Sequence, residues 1–257
     1  LNAIRDGSVT QAMLDVLNKA GNRYPPHLDV IRLATINETV NAVNHQRIEL
    51  IETDPKIFKA VYSDGAAKAF GRALPAETEL TLKVGAQVMF IKNDDASNNK
   101  TSTGSAIRRW VNGTIGRVVA LPKSGLVVVD VDGEQLEVGP ATWEKIRYEV
   151  EEGFNESTGE TKETLVPVTL AEFKQIPLRL AWAVTIHKSQ GQTYDEVQID
   201  MGRGAFSPGQ TYVGLSRVRT LGGLYLTRAV LIRDVMVDSD VVRFMSGAQI
   251  EATSSEL

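Results

Sequence analysis

Between Pro75 and Gln175 the chain changes its periodicity, and that change narrows the available folds more than any other feature. The β-type runs Ala86 to Ile91, Thr114 to Leu121, Leu126 to Val131, Gln135 to Val138 and Lys145 to Val150 follow one another at close spacing. Turn signals separate them at Asn112-Gly113, Ser124-Gly125 and Asp132-Gly133, the last a strong hairpin signal. Short strands so spaced predict a small barrel. Gly153 to Thr161 is polar and reads as a hairpin tip or loop.

The flanks read differently. Thr10 can cap a helix whose Met13, Leu14 and Leu17 share a face and which Gly21 ends. Val30 to Ala34 reads as a buried strand, and Asn37 as the N-cap of a helix carrying Val40, Val43 and Ile51. Beyond Pro177, Val197 to Asp200 and Leu224 to Leu226 read as strands, and Ser207-Pro208 opens a helix running to about Val218. Asp238 or Ser239 caps a last helix with Val241, Val242 and Phe244. The prediction is one discontinuous α/β domain, residues 1–74 and 176–257, interrupted by a β-rich insert at 75–175. There is no internal repeat.

Composition removes several function classes. There is no cysteine, so no disulfide framework and no thiolate site can form. The three imidazoles, His27, His45 and His187, are too scattered for a structural zinc, and no metal site is expected. No apolar run can span a bilayer and Leu1 to Thr10 is no signal peptide, so the expectation is a soluble cytoplasmic protein without a membrane partner.

The net charge of −4 is unpromising for a nucleic-acid binder, but it is unevenly spread. Residues 130–163 carry eleven acidic side chains against Lys145, Arg147 and Lys162, a net −8. Residues 83–123 carry seven basic residues against Asp94 and Asp95, a net +5. Either run alone is equally a solvated surface.

Two constellations carry the chemistry. The first, Ala181 to Thr193, is an apolar approach ending in His187-Lys188-Ser189-Gln190-Gly191-Gln192, polar groups presented from one turn as phosphate or base contacts require. The second, Gly209 to Arg219, sets Tyr212, Leu215 and Arg219 near one helical face with Ser216 and Arg217 beside it. An arginine on a rigid base offers a planar, permanently charged fork to a phosphate. On composition alone, the first segment is a satisfied helix end and the second a surface salt-bridging helix.

In this order, however, Thr-Ile-His-Lys-Ser-Gln-Gly and Tyr-Val-Gly-Leu-Ser-Arg-Val-Arg resemble motifs V and VI of superfamily 1 DNA helicases of the Pif/RecD/Dda type. Gln175 to Gly191 is especially similar to the Pif-type branch. Leu33 to Asn44 is similar to motif IV, and Leu82 to Met89 with Val111 to Thr114 to the start of an SH3-like insert. The resemblance covers nearly the whole chain. It implies a RecA-like (P-loop NTPase-type) domain with a parallel sheet, interrupted by an SH3-like β-barrel.

It also implies roles. Thr185 and His187 would contact single-stranded DNA, with Ser189 sharing that task, while Gln190, Gly191 and Asn37 would face the nucleotide. Arg217 matches the arginine finger; Tyr212 either holds its rotamer or serves the core. Lys83, Arg108 and Arg109, with Lys92 and Arg117, would be the insert's DNA contacts. ATP and Mg2+ are the ligands of the intact enzyme, which is expected to be monomeric.

The sequence contains no Gly-x-x-x-x-Gly-Lys-Ser/Thr and no acidic magnesium motif after a strand. The family places both in a first RecA-like domain, so the expectation is a carboxy-terminal fragment that binds no nucleotide by itself and needs that domain in cis. The alternative is a non-catalytic adaptor that keeps the fold and binds protein through its acidic region.

Overall fold

The computed structural model describes residues 1–71, 74–95, 108–155 and 160–244, with backbone alone at 152–155 and 160–163. In chain order the elements are α1 (Asn2–Arg5), α2 (Gln11–Gly21), β1 (Ile31–Ala34), α3 (Asn37–Glu49), β2 (Lys56–Lys59), β3 (Val61–Tyr62), α4 (Ala66–Phe70), β4 (Glu79–Leu82), β5 (Gln87–Phe90) and β6 (Ile115–Ala120). There follow β7 (Val127–Val131), β8 (Glu134–Val138), β9 (Ala141–Asn155), β10 (Glu160–Gln175), β11 (Leu178–Leu180), β12 (Ala183–Thr185), β13 (Val197–Asp200), α5 (Gln210–Leu215) and β14 (Leu224–Leu226).

Two compact units result, Leu1–Leu50 with the chain from Ala181, and Ile51–Leu180. The divide falls at 50/51 and 180/181, not at 74/75 and 175/176 as the sequence suggested. Strand β2 pairs with β4 and β3 with β10, which ties residues 56–62 to the β-rich unit.

The first unit is built on a four-stranded parallel sheet in the order β12-β1-β13-β14. One face of the sheet is the core, with Ile31, Leu33, Val197, Ile199 and Leu224 buried, while the other carries half-buried Arg32 bonded to Gln198 at 2.8 Å beside buried Ala183. Helix α2 begins where Thr10 Oγ1 accepts the Met13 N–H at 3.4 Å. Of its expected apolar face only Leu14 is fully buried, and Met13 is exposed. Gly21, the last helical residue, is a glycine for a packing reason, since a Cβ there would lie 2.5 Å from Leu226 Cγ.

Helix α3 starts one residue earlier than expected, with Ile36 at the N-cap and Asn37 already helical. It stops at Glu49, so Ile51 lies outside it and the inner face is Val40, Asn44 and Ile48, at i, i+4 and i+8. Asn44 is the polar exception on that face. Its Nδ2 donates to the Ala183 carbonyl at 2.9 Å and its Oδ1 accepts the Ala183 N–H at 2.8 Å. In a parallel ladder alternate residues bond to one neighbour, and Arg32 N already takes the Trp182 carbonyl. The Ala183 groups therefore point off the sheet edge, where the Asn44 amide stands in for a further strand.

The second unit is antiparallel. A five-stranded sheet runs β11-β5-β6-β7-β8, beside a three-stranded sheet β3-β10-β9 and the pair β2-β4. The expected strands appear within a residue or two in β5 to β8. The Asp132-Gly133 turn is a two-residue hairpin loop with φ of 53° and 90°, the geometry that its residue types permit, and it closes the Val131–Glu134 pair. Strands β9 and β10 form a ribbon far longer than Lys145 to Val150 suggested, about 50 Å at ordinary strand rise. Its base is held by buried Phe173, which meets the rings of Tyr62, Phe70 and Trp143 at centroid distances of 5.8, 6.4 and 6.1 Å. Of the loop suggested at Gly153 to Thr161, residues 153–155 and 160–161 are paired strand instead, and 156–159 lie outside the described residues.

Replacing Asn44 by Leu should leave the Ala183 N–H and C=O unpaired in a buried place. The expected cost is about 2–4 kcal/mol, read as a lower urea midpoint; a loss below about 0.5 kcal/mol would remove the clasp from the account.

Candidate functional site

The carboxyl ends of β12, β1 and β13 lie side by side in the first unit, the edge at which open α/β sheets bind ligands. Three segments leave it. Thr35–Asn37 enters α3, Ile186–Ser189 forms a 3-10 turn after β12, and residues 201–206 follow β13.

The turn after β12 divides its residues between scaffold and surface. Thr185 is its N-cap, its Oγ1 accepting the Lys188 N–H at 3.4 Å. Ser189, fully buried, donates its hydroxyl to the Ile186 carbonyl at 2.7 Å. Ile186 points inward against Gly214, where a Cβ would sit 3.3 Å from Ile186 Cδ1. What remains outside is His187, Lys188, Gln190 and Gly191, the last at φ 80°. Thr185 and Ser189 thus build the turn, and His187 is the nominated DNA contact that it presents. Asn37 is exposed at the first turn of α3.

The predicted helix from Ser207-Pro208 to Val218 is shorter than expected. Gly209 at φ 75° is the N-cap, so Pro208 lies in the preceding turn, and α5 ends at Leu215 with Ser216 as C-cap. A left-handed residue cannot continue a right-handed helix, which sets the start. Arg217 therefore sits beyond α5, in a turn whose backbone accepts the Tyr194 N–H at 2.8 Å.

Its guanidinium is held from three sides. Arg217 Nε donates to the Val213 carbonyl at 2.9 Å, Nη1 to the Gln192 carbonyl at 2.9 Å, and Nη2 to Ser216 Oγ at 2.7 Å. Ser216 Oγ in turn donates to the Val213 carbonyl at 2.9 Å. Each Nη retains a second N–H, a planar pair of donors on a fixed base. Tyr212 is not among these supports. Beside the arginine, burial pushes the Tyr194 phenol up to about 12 against the opposing effect of Arg217, and its hydroxyl has no hydrogen-bond partner among the described residues. Arg219 reaches an exposed ion pair with Asp195 at 3.2 Å. The two sequence constellations are thus one site, joined at the Gln192 carbonyl, an acceptor that no side-chain pattern could reveal.

The loop after β13 is braced from below. Asp234, fully buried, takes a two-pronged contact from Arg228, Nη1 to Oδ2 at 2.7 Å and Nη2 to Oδ1 at 2.9 Å. Arg228 Nε also donates to the Gly202 carbonyl at 2.7 Å, and Thr211 Oγ1 donates to the Asp234 carbonyl. Burial alone would raise the Asp234 carboxyl, but hydrogen bonds from Arg228 and the Leu231 N–H hold it below the ordinary 3.8.

The basic residues nominated in the β-rich unit are mostly engaged. Lys83 donates to the Ile51 carbonyl at 2.8 Å, Lys92 to the Thr142 carbonyl, and Arg117 to the Gly85 carbonyl at 3.0 Å. Arg109 grips Asp94 with Nε and Nη2, both at 3.0 Å, and covers the Trp110 ring at 4.4 Å. Arg108 is exposed. All belong to the second unit.

Since the folded carboxyl of Asp234 is held low, its contribution is complete above about pH 4 and is lost as pH falls through the depressed value. Asp234→Asn should cost about 3–5 kcal/mol at neutral pH and should flatten the decline in stability below pH 3.8. Urea unfolding across that range measures both, and a variant as acid-sensitive as the wild type would contradict the assignment.

No family model matches the chain. It is 30% identical over 246 residues, 95% of its length, to the ATP-dependent DNA helicase Pif1 of Bdellovibrio bacteriovorus, of which it covers 49%. Among solved structures it is similar to Bacteroides Pif1 in complex with ADP-AlF4, with a TM-score of 0.74, 29% identity, 97% of this chain and 53% of that one covered. It is similar also to Bacteroides Pif1 bound to single-stranded DNA, with a TM-score of 0.72, 28% identity and coverages of 98% and 53%. The chain spans about half the length of the relatives it matches.

Proposed function

We propose that the chain, similar to Pif1-type DNA helicases over nearly its whole length, is the carboxy-terminal motor half of such an enzyme. The parallel-sheet unit acts as the second RecA-like domain and the antiparallel unit as its SH3-like insert. In this reading ATP lies between the first unit and a preceding RecA-like domain. Arg217 meets the γ-phosphate and the charge that develops on it in the transition state. Gln190, Gly191 and Asn37 lie on the nucleotide side. His187 contacts single-stranded DNA, on a turn that Thr185 and Ser189 hold in shape, and Arg108, with Lys83 and Arg109, lies on the insert's part of the track.

The observation that carries this reading is the Arg217–Gln192 hydrogen bond. It ties the fork offered to a phosphate to the loop that continues from the His187 turn. A shift of that loop by a bound strand then moves an anchor of the finger, and the reverse. The described residues contain no group of three His, Asp or Glu that could hold a cation. In this reading magnesium is held by the preceding domain, where the resemblance places the acidic motif.

Two outcomes follow. The chain by itself has no phosphate-binding loop and should not turn over ATP with or without single-stranded DNA; turnover that survives stringent purification would overturn the division of labour. In the intact helicase, Arg217→Ala should lower turnover about a thousand-fold, roughly 4 kcal/mol, with ATP affinity largely kept. Arg217→Lys should restore little because a point charge lacks the fork. Arg219→Ala, which removes only an exposed ion pair, should be milder. Near-normal turnover in Arg217→Ala with loss in Arg219→Ala would move the finger to Arg219.

A further inference from the structure

Phe206 is 59% exposed, yet the backbone that carries it is fixed. Its N–H donates to Gln210 Oε1 at 3.1 Å, and Gln210, itself 2% exposed, donates Nε2 to the Thr35 carbonyl at the end of β1 at 3.4 Å. Upstream, the loop is pinned where Arg228 holds the Gly202 carbonyl, and Gly204 approaches Asp234 so closely that a Cβ would lie 3.0 Å from Oδ1. A large apolar ring is thus held in water by buried donors and acceptors. Its aromatic neighbour is His187, with ring centroids 6.3 Å apart and planes inclined at 43°. Beside it a cleft of about 520 Å3 is bounded by Thr35, Ile36, Thr39 and one charge of each sign, Glu38 and Arg203.

A ligand suited to this place has a flat face for the ring and negative charge set toward the nearby cations and away from Glu38. Arg203 and Lys188 are exposed there, the first on the cleft wall and the second next to His187. An unstacked nucleobase on a phosphate backbone has both properties, and stacking on an aromatic side chain is the sequence-tolerant way of holding it. We infer that Phe206 is a base-stacking residue for single-stranded DNA, working beside His187. The inference rests on the helicase reading above and extends it to a residue outside the quoted motifs.

The test uses the intact helicase that contains this chain. Phe206→Ala should weaken binding to oligothymidylate about ten-fold, the loss of one stacked base. Because the ring carries no charge, the slope of log affinity against log salt should stay as in the parent. Phe206→Tyr should bind like the parent, whereas Phe206→Leu, which keeps apolar bulk without a π face, should weaken nearly as Ala does. In Phe206→Trp the added fluorescence, read over that of Trp110, Trp143 and Trp182 in the parent, should be quenched as DNA is titrated.

If Phe206→Ala and Phe206→Leu bind within about two-fold of the parent while His187→Ala is weakened, stacking is excluded and the helicase reading stands. A fall in melting temperature without loss of DNA affinity also excludes it, and would assign the ring to contact with another protein domain. If the parent itself does not bind single-stranded DNA, both readings fall together.

Discussion

The clasp of Asn44 on Ala183 is the constraint on which the site depends. Strand β12 is three residues long and lies at the edge of its sheet, so one side of its backbone would otherwise have to find water or a passing chain. The amide satisfies that side from within the fold and fastens α3 to the strand that runs directly into the His187 turn. The device recurs. Asn18 on α2 takes both backbone groups of Val230, at 2.9 and 2.8 Å, and Gln210 joins Phe206 to Thr35. In the other unit, Gln175 binds the Phe58 and Glu77 carbonyls. Buried amides serve here because each carries a donor and an acceptor on one rigid plane and bears no net charge to desolvate.

These clasps separate holding from presenting. The groups that face solvent at the sheet edge, His187, Gln190 and Phe206, make few commitments of their own, while their buried neighbours make many. Arg217 sits between the two kinds, half-buried and spending one N–H from each nitrogen on its support. A side chain fixed this way loses little rotamer freedom when it meets a ligand, which is where its chemical advantage over a free surface arginine lies.

What sequence reasoning could read follows from how local each signal is. The strands β13 and β14 were legible to the residue because each has a local pattern, β13 alternating buried Val197 and Ile199 with half-buried Gln198 and Asp200, and β14 an apolar run buried throughout. The Asp132-Gly133 turn was legible because its φ values depend on the two residues themselves. The helix before Arg217 was misjudged at both ends. Pro208 looked like a first-turn residue, but Gly209 beside it adopts a left-handed conformation that only the fold selects. The unit boundary was missed because residues 56–62 join β4 and β10, partners remote in sequence. At the site, motif resemblance found the two segments, but not that Lys83 and Arg109 spend donors internally, nor that Phe206 stands beside His187.

The long ribbon of β9 and β10 has a consequence for how molecules of this protein meet one another. From Ala171 back to Glu160, β10 pairs with β9 alone among the described residues, with Ile146, Tyr148, Val150 and Leu165 open to water and outer backbone margins that face no further strand. Such a margin invites hydrogen-bonded growth by a neighbour's strand, the first step of fibrous association. Glu144, Glu149 and Glu151, all exposed on β9, oppose it, because a second ribbon laid alongside would bring its own carboxylates against them. Like charge on one strand thus works against edge-to-edge pairing of an element whose hydrogen-bonding margin is open.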